Sequence, residues 1–154
     1  MTGTQSHESM AGTLAAIEHI AWLGRTISTE GLSRREALSV AFSAIEEYES
    51  ELCWEMIQGL QEIDGLKIWG VTDPSMKKHR APTVSFTHPS MNAEQIGSAL
   101  AKEGIFAWAG NFYALELSEA LGLEPEGALR VGLLHYNTAE EVNRFIGALN
   151  GILT

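Results

Sequence analysis

The chain reads as an α+β protein: a helical arm of two helices, then a small four-stranded, mostly antiparallel sheet with helices packed on one face. Three observations predict this. Helical periodicity fills the first part of the chain, to residue 62. After Asp64-Gly65 it gives way to short β-branched and aromatic runs. Between and after those runs stand two helix-opening signatures, Asn92 with Gln95 and Thr138 with Glu141. The organisation expected is a loop and helical arm over 1–62 and a small α+β domain over 63–154.

Each element has its own justification. In 9–27, Leu14, Ile17, Ile20, Ala21 and Leu23 recur at helical spacing, and Gly24 weakens the end. In 33–62, Ser33 and Glu36 form a capping box, and Leu38, Phe42, Ile45, Leu52, Met56 and Leu60 follow on one stripe. A helix of that span runs about 40 Å, long for a small domain and suited to an arm. Strands are expected at 66–71, 82–88, 105–108 and 128–136. Asp73-Pro74 ends the first and Pro89 the second. A short helix through Ile96, Ala99 and Leu100 stops at Gly104. Another is expected over 112–121. In the last helix Val142, Phe145, Ile146, Leu149, Ile152 and Leu153 draw one apolar face.

Composition narrows the function. A 45% hydrophobic share supports a sizeable core. Twenty acidic against ten basic residues, net −10, exclude a nucleic-acid partner and an anionic membrane surface, both of which need basic faces. The one basic knot, Lys77-Lys78-His79-Arg80, is expected to be solvated. Cys53, the single cysteine, lies in a helical pattern as a buried, inert thiol, which fits a reducing compartment. No apolar run reaches the length of a membrane span, and a cytoplasmic protein is expected.

The histidines at 7, 19, 79, 88 and 135 show no metal-site spacing, so no metal is expected. Neither a Gly-x-Ser-x-Gly elbow nor a glycine-rich phosphate loop is present. Arg130 is the residue that asks for an explanation: a permanent cation opening an otherwise apolar strand. Its planar fork fits a carboxylate at two points, and flanking Leu129 and Val131 would partly strip it of water. It is either such an anion clamp or an edge arginine paired to a local acid such as Glu126.

The stretch LRVGLLHYNTAEEVNRFIGAL resembles the C-terminal segment of the class V aminotransferases, most of all their cysteine-desulfurase-like branch of fold-type-I pyridoxal-phosphate enzymes. Arg130, Tyr136, Asn137, Thr138, Glu140 and Glu141 match its arginine strand and the turn that opens the last helix. GTQSHESMAGTLAAIEHIAWLG resembles the family's Gly-Thr loop and interdomain helix, and RAPTVSFT its strand entering the small domain. The resemblance implies that Arg130 binds the substrate carboxylate. It also implies that Thr4 reaches the cofactor phosphate of the neighbouring subunit of a homodimer.

The departures carry information too. Where desulfurases of this family place an arginine, a glycine and the sulfur-accepting cysteine, this chain has WAGNFYAL, with Trp108, Gly110 and Tyr113. A phenol cannot carry a persulfide, which closes that route and leaves aminotransfer, lyase or racemase chemistry on an amino acid. Trp108 and Tyr113 either wall the substrate pocket or pack on the sheet. None of Lys67, Lys77, Lys78 and Lys102 sits in the context of the family's Schiff-base lysine. The chain is therefore expected to be the C-terminal part of such an enzyme, inactive alone and binding pyridoxal phosphate only in the complete protein. The rival expectation is a non-catalytic α+β association or small-molecule-binding module.

Overall fold

Helix α1 (His7–Ile27) begins where Ser6 accepts a hydrogen bond from the Ser9 amide, and α2 (Arg34–Gln61) begins at the Ser33–Glu36 box. There the Ser33 amide donates to the Glu36 carboxylate at 2.9 Å and the Glu36 amide returns a bond to Ser33 Oγ at 3.4 Å. The Ser33 hydroxyl donates to the same carboxylate at 2.6 Å, and this bond first, with the one from the Ser33 amide, holds the Glu36 carboxyl below the usual carboxylate range. The computed structural model describes residues 3, 5–28 and 30–154. They fall into two compact units, Met1–Tyr48 and Glu49–Thr154. The division between these units lies inside α2. The reason is that Leu52, Cys53, Met56, Ile57 and Leu60 join the core of the second unit.

In the first unit α1 meets the start of α2 through small side chains. Ala21, Ala37 and Ala41 are fully buried. Gly24, which costs helix propensity, is required by this contact: a Cβ there would overlap the Ala37 backbone. The apolar spacing of α2 overstates its seam here, because Phe42 is exposed.

The second unit is built on an antiparallel sheet of β1 (Lys67–Trp69), β2 (Thr83–Thr87), β3 (Trp108–Gly110) and β4 (Ala128–Gly132), in the order β1-β2-β4-β3. Ile68, Phe86, Leu129 and Ala109 form one row across it. That row faces the core with Met56, Ile57 and Leu60 of α2, Ile96 and Leu100 of α3 (Ala93–Lys102), and Val142, Phe145 and Leu149 of α5 (Ala139–Leu153); the short helix expected over 112–121 forms as α4 (Leu115–Ala120), between β3 and β4 in the chain. Asn92–Gln95 and Thr138–Glu141 are both complete capping boxes. After Gly104, in the left-handed region at φ 70°, the Ile105 amide returns to the Leu100 carbonyl and closes α3.

Two strands differ from expectation. The third forms at Trp108–Gly110 and not at 105–108, since the Ile105 amide is spent on the α3 terminus. The fourth ends at Gly132. Asn137 Oδ1 takes the Leu134 amide at 2.9 Å, which turns Leu134–Asn137 out of the ladder and leads into α5. The basic knot is also more ordered than a solvated loop. It forms a 3-10 helix, Pro74–His79, in which Lys77 pairs with Glu51 at 2.5 Å. Arg80 is spent on backbone carbonyls, donating to those of Val71 and Thr83. Cys53 is buried, and burial raises its thiol pKa, as expected of an inert cysteine.

The α1 contact yields a test. Gly24→Ala is expected to destabilise by about 1–3 kcal/mol through overpacking. Gly12→Ala, where a Cβ meets nothing within 4 Å, is expected to gain about 0.5–1 kcal/mol from propensity. Urea unfolding of both variants, followed by helix ellipticity, checks the opposite signs.

Candidate substrate-carboxylate site

Because strand side chains alternate, the residues between the core positions line the other face of the sheet. Trp69, Ser85, Arg130 and Trp108 are in register there, one from each strand. Arg130 is half-buried in the centre of that row, and Trp108 beside it is 66% exposed. Together with Thr83, Phe106 and Gly132 they line a groove of about 580 Å³.

The guanidinium carbon of Arg130 lies 4.0 Å above the ring of Phe112. Among the described residues Arg130 takes part in no ion pair. Glu126, the local acid that could have neutralised it, lines a different hollow with Lys67 and Trp69. An arginine stacked on an aromatic ring and left without a carboxylate keeps its N–H edge for an incoming anion.

Phe112 reaches this position through an unusual backbone. It and Tyr113 are consecutive left-handed residues, with φ of 58° and 62°. Such a conformation costs about 1–2 kcal/mol for each residue that carries a Cβ. Asn111 holds the turn: its Oδ1 accepts from the Tyr113 amide at 3.2 Å and its Nδ2 donates to Glu124 Oε1 at 3.2 Å. Gly127 packs directly on the Gly110 backbone, which leaves no room for a Cβ. The turn brings Phe112 to the guanidinium and leaves Tyr113 fully exposed. Phe112 also lines a second groove, of about 400 Å³, with Trp69, Ser85, Leu117 and Leu121.

The structure therefore brings Arg130 and Trp108 together and leaves Tyr113 outside the groove they line. Thr4 lies outside the described residues. Phe112 was not singled out in the sequence, although Gly110-Asn111 before it marks a turn whose next side chains are re-aimed.

Pyridoxal phosphate needs an amine for its carbonyl carbon and a partner for its ring nitrogen. Lys67 lies over the Trp69 ring at 3.6 Å and Lys77 is held by Glu51. No lysine lines the Arg130 groove. The described residues fit a carboxylate and do not by themselves compose a seat for the cofactor. No cluster of three metal-ligating side chains occurs among them either.

Residues 4–145 match the family model described as aminotransferase class-V. The chain belongs to that family. It is 37% identical over 116 residues to an aminotransferase-like protein of Gibberella zeae, covering 73% of this chain and 28% of that protein. It is 36% identical over 115 residues to a cysteine desulfurase of Synechococcus elongatus, covering 75% of this chain and 17% of the relative. The apo cysteine desulfurase of Thermococcus onnurineus superposes with a TM-score of 0.68 at 27% identity, over 78% of this chain and 28% of that one. The chain thus spans less than a third of the length of each of these proteins. The resemblance carried by the Arg130 strand and the turn after it is a family relationship, and the α+β fold is that of the desulfurases. No described helix is long and apolar enough to cross a membrane.

The backbone of the turn supplies a second test. Tyr113→Gly removes one left-handed residue with a Cβ and touches no groove. It is expected to stabilise the protein by about 1 kcal/mol, the strain released less the entropy glycine adds to the unfolded chain. A denaturant midpoint moved upward at unchanged slope is the expected result.

Proposed function

We propose that this chain is the C-terminal part of a pyridoxal-phosphate enzyme of the cysteine-desulfurase-like branch, acting on an amino acid. Its contribution is to hold the substrate carboxylate with Arg130, with Trp108 as the adjacent wall. The observation that carries this reading is the half-buried, acid-free guanidinium at the centre of the open sheet face. A two-point hydrogen bond there fixes where the α-carbon stands, which is a positioning role and moves no proton.

The lysine that anchors the cofactor comes, in this reading, from outside this chain, so the chain alone is inactive and holds no cofactor. Thr4 serves the cofactor phosphate of the neighbouring subunit, a role that rests on the family resemblance. Tyr113 meets substrate only when the rest of the enzyme closes over it. Because a phenol stands where the acceptor cysteine would be, the reaction is one of aminotransfer, elimination or racemisation and not persulfide formation. The buried, unpaired Cys53 supports a reducing, cytoplasmic setting.

In the intact enzyme, Arg130→Lys replaces a fork by a point charge. The expected outcome is at least a tenfold rise in amino-acid KM, with cofactor capture, read as visible absorbance after dialysis, unchanged. An unaltered KM removes Arg130 from the substrate site.

One observation supports association as well. Met10, Leu14 and Ile17, a turn apart on α1, are 51%, 55% and 38% exposed. An apolar stripe of that kind belongs in an interface, and a homodimer is the occupant we assign to it. Sedimentation of the chain is expected to show a dimer that Leu14→Glu with Ile17→Glu converts to monomer. The same stripe would serve the rival reading of a non-catalytic association module. Catalysis by the intact enzyme that depends on Arg130 decides against that rival.

A further inference from the structure

We infer that Phe112 is a positioning residue for the carboxylate clamp, an inference that rests on the reading of Arg130 just given. Three observations converge on it. Among the described residues, Phe112 offers the one ring over the Arg130 guanidinium, 4.0 Å from its centroid. It does so from a left-handed backbone that suits glycine or asparagine, followed by a second residue in the same region. The turn is held from outside by Asn111, bonded to Glu124, and by the glycine contact of Gly110 with Gly127.

A backbone that resists a Cβ is here built around one of the larger side chains. The physical return lies in how a guanidinium is used. Its π face can lie on a ring while its N–H edge stays free, so the stack restrains the fork without consuming a donor. A carboxylate partner would restrain it as well, but would occupy the edge that substrate needs. The ring also covers one face of the cation and lowers its exposure to water, which strengthens an anion contact at the open edge. Phe112 touches neither substrate nor reacting atoms in this scheme. It acts through Arg130.

The test uses the full 154-residue chain and the Arg130 Nε–Hε resonance, with propionate as a bare carboxylate probe. In the wild type the resonance is expected to carry the ring-current shift of Phe112 and to respond saturably to propionate, whereas Arg130→Lys abolishes the response. Phe112→Leu keeps bulk and loses the π face. It is expected to remove the ring-current shift and weaken propionate binding about three- to fivefold, the size of an exposed cation–π contact. Phe112→Tyr, which restores the ring, is expected to recover both. Equal affinity in wild type and Phe112→Leu, or equal loss in Phe112→Leu and Phe112→Tyr, overturns the inference and leaves the clamp standing. A wild-type resonance indifferent to propionate removes the clamp, and the inference with it.

Discussion

Leu129 and Arg130 are neighbours on β4 and cannot be repositioned separately. Leu129 is fully buried between Phe86 and Ala109, so the pairing with β2 and β3 is held by core packing. A one-residue slip would expel Leu129 to solvent and drive a charged guanidinium into the core, each at a cost of several kcal/mol. The apolar side of the strand thus sets the register of its polar side. Trp69, Ser85 and Trp108 fall into line with Arg130 because Ile68, Phe86 and Ala109 fall into line with Leu129. The site inherits its geometry from the core, and it sits on strands, the more rigid kind of support.

That dependence explains what was legible beforehand. All three capping boxes are local, with donor and acceptor three residues apart, and Ser33, Asn92 and Thr138 each open a helix as their spacing foretold. The apolar periodicity of α5 is likewise a property of contiguous sequence. Strand limits were less legible because non-local demands decide them. Ile105 has β character, yet its amide closes α3. Leu134 and His135 continue an apolar run, yet the Asn137 side chain ends the ladder. Gly24 looked like a weakness in α1 until its neighbour across the helix pair was known.

In the site, the strand residue was visible and the loop residue was not. Arg130 breaks a hydrophobic run, and a cation there demands a reason. Phe112 breaks nothing, because an aromatic in a loop is ordinary, and its backbone angle is not written in its identity. The reading of Tyr113 as standing in the place of an acceptor cysteine comes from the family resemblance and not from the residue itself. The structure adds that this position is fully exposed while its predecessor turns inward. Adjacent left-handed residues cast successive side chains in different directions, so a one-residue offset changes which aromatic ring the guanidinium meets.

Charge bears on what such a clamp can select. The chain carries a net −10, a field that disfavours approach of any anion. Beyond about 8 Å that field is screened at physiological salt, so recognition is left to contacts within the groove. Within that distance a zwitterionic amino acid, with no net charge, meets no net repulsion from acidic side chains, while a dicarboxylate does. In the proposed reading the acidic surface and the acid-free Arg130 act in the same sense. The surface discourages additional negative charge, and the stacked guanidinium receives the one carboxylate that every amino acid brings. In that reading affinity depends on how well the fork is held rather than on attraction from a distance.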